Sequence, residues 1–364
     1  MFFHFPRMSR RSFLGASAGA FAASTLPSFP LPAAAASPRP ILLDCDPGVD
    51  DAMALFLALR SPELKIEAVT AVSGNVPLSF TLPNALRLVE IAGRPDVPVA
   101  GGAATPLVRR LITASYVHGN NGLGGVEFPL PKLKPVAEPA SQLIQRVVRS
   151  RPGEITIVGV GPLTNIAAAL KSDPGLASQI KDIVVMGGSL SGGNITPAAE
   201  FNFYVDPEAA RIVFDAGVPL TMVGLDVTRK VLLGEEQLKV LEAAHTPVSQ
   251  AAAKIMRATL DRMRKGRDAT VVAMHDPLTV AYLIDPSILT LKDYYVQIET
   301  SGVFTAGESV GYASAPARSS APMSTGQPAP ETSPSEFNPN TKVAVGVDAD
   351  KFFRLLLPRL TAPA

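Results

Sequence analysis

The sequence predicts a single large α/β domain in which helices flank a mostly parallel, doubly wound sheet. Short apolar or β-branched segments alternate with helical patterns along most of the chain, as in consecutive βα units. The earliest apolar segment also ends in a tight Pro-Gly turn before an Ala- and Leu-rich helical segment. Roughly 330 residues follow the first 36, which is enough chain for one full hydrophobic core.

The predicted elements alternate in chain order. An apolar run at Ile41 to Leu43 predicts the first strand, and Ala52 to Leu59 predicts the first helix. Further strands are predicted at 66–72, 97–100, 155–160, 183–186 and 220–223, and further helices at 79–91, 140–150, 163–170 and 207–215. Beyond these, the pattern is helical through 234–265 and strand-like over 293–310, which suggests a hairpin added to the sheet, before a strand at 342–347 and a helix at 349–357.

The first 36 residues are typical of a twin-arginine signal peptide. Ser9-Arg10-Arg11-Ser12-Phe13-Leu14 precedes a short apolar stretch and the Ala-rich segment Ala33–Ala36, where cleavage is expected. We therefore expect export to the periplasm or secretion, with residues 37–364 forming the catalytic domain. Within that domain, residues 313–340 are rich in Ala, Pro, Ser and Thr, which predicts a mobile insertion.

Charge and cysteine content exclude several classes of protein. The whole chain has a net charge of +1, and without the first 36 residues 30 basic and 32 acidic residues remain, so the net charge is −2. No basic run or basic-aromatic pattern indicates nucleic-acid binding, and no later segment predicts membrane insertion. The one cysteine, Cys45, excludes an internal disulfide. We interpret it as a small buried apolar residue.

Four carboxylates occur within the eight residues that follow the first predicted strand. Asp44, Asp46, Asp50 and Asp51 would repel one another strongly in a poorly solvated cleft, so ionising all of them requires a cation or many donors. Oxygen ligands favour Ca²⁺ or Mg²⁺. Asp50 and Asp51 also lie where a helix begins, so capping alone is the alternative explanation for these two.

Other polar groups follow the ends of predicted strands. Asn75 follows the second strand, where a simple turn explains it equally well. The segment from Gly161 to Asn165 can present backbone carbonyls, although the start of a helix explains it about as well. Asn194 precedes Glu200-Phe201-Asn202, in which strand-like alternation would direct Glu200 and Asn202 to the same side. Two amides and one acid can bind several hydroxyl groups, so a sugar is the expected ligand.

Two histidines complete the candidate set. His275-Asp276-Pro277 combines an acid suited to a cation with an imidazole able to donate a proton near neutral pH, unless it is only a helix start. His118 begins a Gly- and Asn-rich segment that is either an active-site flap or a long loop.

Taken in order along the chain, these motifs resemble the nucleoside hydrolases of the inosine-uridine-preferring type, and the similarity extends from about Ile41 to Tyr282. The resemblance implies a Ca²⁺-dependent hydrolysis of the N-glycosidic bond of ribonucleosides. The cation would be held by Asp46, Asp51, Asp276 and the backbone carbonyl of Val160, where many members have Thr.

The same resemblance implies roles for the remaining residues. Asp46 would activate water as the general base, and His275 would help the base to depart. The substrate would be bound by Asp50, Asn75, Asn194, Glu200, Asn202 and Asp276. A homodimer or homotetramer is also implied. The absence of Trp argues against purine recognition by indole stacking.

Two other functions are compatible with the sequence. One is a non-catalytic, Ca²⁺-dependent nucleoside- or sugar-binding protein on the same fold. The other is a phosphatase with an aspartyl nucleophile in an Asp-x-Asp turn, which is disfavoured because no suitable phosphate-binding lysine arrangement is present.

Overall fold

The computed structural model describes residues 1, 2, 4, 37–267, 270–313 and 338–363. Residues Ser37–Ala364 form one compact unit. The sequence predicted as a signal peptide, apart from residues 1, 2 and 4, and nearly all of the predicted insertion lie outside the described residues. None of the described helices combines the length and the hydrophobicity needed to cross a membrane.

The strands are β1 (Arg39–Cys45), β2 (Leu64–Ala71), β3 (Val99–Gly101), β4 (Thr156–Gly159), β5 (Asp182–Met186), β6 (Leu220–Val223), β7 (Leu232–Leu233), β8 (Val272–Ala273), β9 (Leu289–Ile298), β10 (Ser309–Tyr312) and β11 (Thr341–Val347). The helices are α1 (Val49–Leu59), α2 (Leu78–Ile91), α3 (Ser115–His118), α4 (Ala140–Ser150), α5 (Thr164–Ser172), α6 (Phe201–Val205), α7 (Pro207–Phe214), α8 (Leu225–Thr228), α9 (Glu235–Ala243), α10 (Pro247–Arg267), α11 (His275–Ile284) and α12 (Ala349–Thr361).

Within the described residues, nine strands form the central sheet in the order β10-β9-β11-β6-β5-β4-β1-β2-β3. Along the sheet from β3 at one edge to β11, every neighbouring pair of strands is parallel. Strand β9 then pairs antiparallel with both β11 and β10. The predicted fold class and the predicted terminal hairpin are therefore confirmed.

Both faces of the sheet are covered, because side chains alternate along each strand. On β1, Ile41, Leu43 and Cys45 pack into a core with α1, α2 and α9–α12, whereas Leu42 packs into a second core with α4, α5 and α7. Strands buried on both faces are apolar throughout, as the sequence of β1 is. Cys45 is fully buried, as expected, and burial raises the pKa of its thiol.

The chain reverses direction across the sheet at β1. Connections from β1 lead to β2 and β3 on one side, and β4, β5 and β6 continue on the other side. A crevice forms at such a point outside the carboxyl ends of the strands, where ligands bind in open α/β sheets. Both the acidic turn after β1 and Val160 after β4 are located there.

The continuous helical pattern predicted over 234–265 is wrong in one respect, since the segment forms two helices. The hydroxyl of Thr246 accepts a hydrogen bond from the backbone N–H of Ser249 at 3.1 Å, and Pro247 is the first residue of α10. A capping threonine followed by proline starts a new helix.

Candidate active site

The acidic turn joins β1 to α1 through Pro47-Gly48. Asp51 stabilises this turn, because its Oδ1 accepts a hydrogen bond from the N–H of Asp46 at 3.1 Å and its Oδ2 accepts one from Gly48 at 2.9 Å. Capping therefore accounts for part of the role of Asp51. It does not account for Asp44 or Asp46, which precede the helix.

Asp46 is fully buried at the centre of the turn. Its Oδ2 accepts a hydrogen bond from the N–H of Asn75 at 2.6 Å, whereas its Oδ1 has no hydrogen-bond partner among the described residues. Two glycines pack against this carboxylate: a Cβ on Gly74 would lie 2.1 Å from Oδ2, and a Cβ on Gly161 would lie 2.5 Å from Oδ1. The two loops can close on Asp46 only because neither residue has a side chain.

Next to Asp46, carboxylate oxygens of Asp50, Asp51 and Asp276 lie within 4.8 Å of one another. Burial, with the charge of Asp51, raises the pKa of Asp50 to about 8, and burial also raises the pKa of Asp46, Asp51 and Asp276. Ionising four such groups together requires a positive partner. The unpartnered Oδ1 of Asp46 and the all-oxygen donor set fit a hard divalent cation.

Val160 follows β4 and lies beside this cluster. Its carbonyl oxygen accepts a hydrogen bond from Nδ2 of Asn202 at 2.9 Å. A carbonyl oxygen has two lone pairs, so one remains for a further ligand. The position is compatible with the predicted use of a backbone carbonyl.

The expected strand-like alternation at Glu200-Phe201-Asn202 is wrong, because α6 begins here. Glu200 is the N-cap: its carboxylate accepts hydrogen bonds from the N–H groups of Asn202 at 2.9 Å, Phe203 at 3.2 Å and Gly188 at 3.1 Å. Asn202 then lies in the first turn of the helix. Both residues still contact the crevice, because the start of α6 faces it.

Burial raises the pKa of Glu200 to about 7, although its three backbone donors favour the charged form. Asn194 is held nearby, where its Oδ1 accepts a hydrogen bond from the N–H of Phe201 at 2.9 Å. The side-chain amide hydrogens of Asn194 take no part in that hydrogen bond. Asn194, Glu200 and Asn202 thus form a polar wall of the crevice that Asp50 also lines.

His275 is the first residue of α11, and its Nδ1 lies 2.8 Å from the hydroxyl of the buried Thr228. Burial, with the nearby Arg229, lowers the pKa of His275 to about 4. The ring is therefore neutral at pH 7, so it can act there as a hydrogen-bonding group with a fixed orientation.

His118 also faces the crevice, although the sequence identified only its loop. Its Nδ1 accepts a hydrogen bond from the N–H of Val49 at 3.1 Å, and burial lowers the pKa of the ring to about 3. The proton of the neutral ring is consequently on Nε2. The HGNNGLGG pattern that predicted a flap was the available signal, but it did not specify that the ring points inward.

A cavity of about 290 Å³ connects these groups. Thr259 and Met263 of α10 and the apolar Val117 and Val272 are among the residues that line it. Asp46 and Asp51, which are fully buried, do not line the cavity themselves. The predicted residues that line it are Asp50, Asn75, Val160, Asn194, Glu200, Asn202, His275 and Asp276.

A crevice of this kind, with carboxylates at its floor and hydroxyl-binding groups on its wall, defines a glycosidase-like hydrolase site. The sequence profile of the inosine-uridine preferring nucleoside hydrolases matches residues 41–354. The chain belongs to this family and is a ribonucleoside hydrolase.

Individual relatives agree with this assignment. The chain is 42% identical over 323 residues to the pyrimidine-specific ribonucleoside hydrolase RihA of Salmonella gallinarum, covering 88% of this chain and 98% of the relative. It is 46% identical over 272 residues to RihA of Citrobacter koseri, covering 74% and 87%.

Solved structures share the fold over nearly their whole length. The plant nucleoside hydrolase PpNRh1 matches with a TM-score of 0.81 and 37% identity, covering 90% of this chain and 100% of that chain. The purine-preferring ribonucleoside hydrolase from Gardnerella vaginalis matches with a TM-score of 0.78 and 32% identity, covering 89% and 98%.

Proposed function

We propose that the chain hydrolyses the N-glycosidic bond of ribonucleosides in a Ca²⁺-dependent reaction, releasing ribose and a free base, with pyrimidine ribonucleosides as preferred substrates. One observation carries the proposal: the cluster of buried carboxylates, in which Asp46 Oδ1 has no hydrogen-bond partner among the described residues, includes Asp50 and Asp276 of a cavity that hydroxyl-binding side chains also line. The phosphatase alternative receives no support from this arrangement.

The cation site would consist of Asp46, Asp51, Asp276 and the carbonyl of Val160. When bound there, Ca²⁺ would neutralise the cluster and lower the pKa of a water molecule. Asp46 would also accept the proton of the attacking water through its carboxylate, of which only Oδ2 has a hydrogen-bond partner among the described residues. Direct attack by this water predicts inversion at the ribosyl carbon.

The ribose would lie between the acidic turn and α6. Asp50 and Asn202 would bind the two adjacent hydroxyls of the ribose ring, its diol. Asp276 would contact the same diol. Asn75 uses both amide hydrogens for Asp51 Oδ2 at 2.9 Å and the Asp46 carbonyl at 3.2 Å, so its Oδ1 is the atom available to substrate. Carboxylates near the ribosyl carbon would stabilise the positive charge that develops in the transition state.

At the upper end of the ribose, Asn194 and Glu200 would hold the 5′-hydroxyl. The Glu200 carboxylate accepts three backbone hydrogen bonds, and a carboxylate can accept about four, so one remains for the hydroxyl. The base would extend toward α10 and the two histidines. His275, oriented by Thr228, would donate a hydrogen bond to the departing base.

The preference for pyrimidines is supported by the names of the curated relatives at 42% and 46% identity. It also agrees with the absence of Trp from the chain. The alternative, a purine preference, is supported by the Gardnerella vaginalis structure at 32% identity. The kcat/KM values for pyrimidine and purine ribonucleosides distinguish the two preferences.

The test is ribose release from uridine, cytidine, inosine and adenosine by the purified protein with Ca²⁺. We expect turnover of all or some of these, with higher kcat/KM for uridine and cytidine. Faster hydrolysis of inosine and adenosine would contradict the pyrimidine preference. Calorimetric binding of nucleosides without any ribose release would instead favour the non-catalytic binding protein.

We also propose export by the twin-arginine route, from the Ser9–Leu14 motif and the apolar and Ala-rich segments that follow. A reporter fused after residue 36 should reach the periplasm or medium, and replacing Arg10 and Arg11 by Lys should retain it inside the cell. A homodimer or homotetramer is proposed from the family resemblance, and light scattering of the purified protein tests it.

A further inference from the structure

We propose that Arg262 is a positioning residue that holds the loop of residues 117–124, and through it His118, against the base end of the cavity. The inference rests on the nucleoside hydrolysis proposed above. Arg262 does not line the cavity itself, whereas its neighbours Thr259 and Met263 on α10 do.

The guanidinium of Arg262 binds both ends of this loop. Its Nη1 donates a hydrogen bond to the carbonyl of Gly124 at 2.9 Å, and its Nη2 donates one to the carbonyl of Val117. A Cβ on Gly119 would lie 3.1 Å from Nη1, so the guanidinium also packs against the loop interior. His118 lies between the two anchored carbonyls.

Arg262 differs from the other arginines near it on α10. Arg257 forms ion pairs with Glu235 and Glu242, and Arg264 pairs with Glu235. In the described part of the chain, Arg262 forms no ion pair with a carboxylate, and burial lowers the pKa of its guanidinium. Its donors are used for main-chain carbonyls, and the planar fork can reach two of them together as an ammonium group cannot.

The loop needs an external anchor because much of its backbone is glycine. Within it, Gly119, Gly122 and Gly124 have φ angles of 75°, 85° and 71°, a region that glycine enters freely. Such a segment is costly in entropy to order. α10 also supports it by close contact, since a Cβ on Gly124 would lie 3.0 Å from the Thr259 hydroxyl.

Two separate contacts thus determine the protonation and the position of the His118 ring. The N–H of Val49 fixes which ring nitrogen bears the proton, and Arg262 fixes where the loop places the ring. Removing the Arg262 contacts would displace the Nε2–H of His118 from the cavity. Asp46, Asp51 and Asp276, the carboxylates proposed to hold the cation, form no hydrogen bond or ion pair with Arg262 or His118 among the described residues, so we expect the cation site to be retained. The nearest carboxylate to the His118 ring is Asp50, whose Oδ1 lies 3.9 Å from Nδ1.

The experiment compares Arg262→Gln, Arg262→Lys and the control Arg264→Gln in kcat, KM and Ca²⁺ affinity, after circular dichroism establishes folding. We expect Arg262→Gln to lower kcat/KM by roughly 10- to 100-fold, as a misplacement of about 1 Å does, with Ca²⁺ affinity unchanged. Arg262→Lys should recover part of the loss, and Arg264→Gln should remain within about twofold of the wild type.

A double-mutant cycle with His118→Ala separates positioning from general destabilisation. If Arg262 acts through His118, the double variant should be no slower than His118→Ala alone. Multiplicative losses, an equal loss of Ca²⁺ affinity, or wild-type kinetics of Arg262→Gln would overturn the inference. Failure of the proposed function is distinguishable, because the wild type would then hydrolyse no nucleoside.

Discussion

Asp46 and Gly161 approach so closely that a single added carbon on Gly161 would lie 2.5 Å from Asp46 Oδ1. Since Asp46 is held on its other side by the N–H of Asn75 at 2.6 Å, its carboxylate has little room to retreat. The backbone after β4 thereby sets the position of the proposed general base on the turn after β1.

Gly161→Ala is expected to lower kcat by roughly 100-fold, because restoring an ordinary contact distance requires Asp46 or the loop to move by about 1 Å. Steady-state kinetics at saturating Ca²⁺ measures this. Gly175→Ala is the matched control, since a Cβ there meets only Asp173 Oδ1 at 3.6 Å. Equal activity of the two variants would show that Asp46 is not held as described.

Thr228→Val is expected to lower kcat about fivefold, the effect of losing one hydrogen bond worth about 1 kcal/mol, because His275 Nδ1 loses its partner at 2.8 Å. Ca²⁺ affinity should not change. The control is Thr279→Val in the same region, since the Thr279 hydroxyl is buried and has no partner among the described residues. A similar loss in both variants would argue against orientation of His275 by Thr228.

Glu200 predicts a pH dependence of stability. Its pKa is raised to about 7 in the folded protein from an ordinary value of 4.5, so the folded state binds the proton more tightly than the unfolded state. The stabilisation that this tighter proton binding contributes to the free energy of unfolding is fully present below about pH 4.5 and is lost as the pH rises through about 7.

Denaturant unfolding at pH 5 and pH 8 tests this by comparing the wild type with Glu200→Gln, which resembles the protonated form. The wild type should lose on the order of 1 to 3 kcal/mol more free energy of unfolding between these pH values than the variant does. Parallel losses in both proteins would mean that Glu200 titrates as an exposed carboxyl group does.

Local patterns predicted the elements that local physics determines. The apolar strand β1, the Pro47-Gly48 turn and the acids after it were predictable, because a doubly covered strand and a charged strand end have distinct compositions. The order β3-β2-β1-β4-β5-β6 was not predictable, since it depends on contacts between residues far apart in the chain.

In the site, too, local sequence identified residues, whereas contacts between distant residues determine their geometry. Glu200 was identified as a polar group for hydroxyls, but its N-cap geometry depends on amides of Asn202, Phe203 and Gly188, so a short pattern was mistaken for a strand. His118 reaches the cavity only because Val49 and Arg262, both distant in sequence, fix its ring and its loop.

The most direct test of the central claim is a Ca²⁺ titration of metal-depleted protein, followed by ribose release from uridine, for the wild type and Asp46→Asn. We expect activity to be absent in chelator and restored to saturation by Ca²⁺ in the wild type, while Asp46→Asn stays at least about 100-fold slower at saturating Ca²⁺. Undiminished ribose release in chelator, or wild-type rates from Asp46→Asn, would contradict the account.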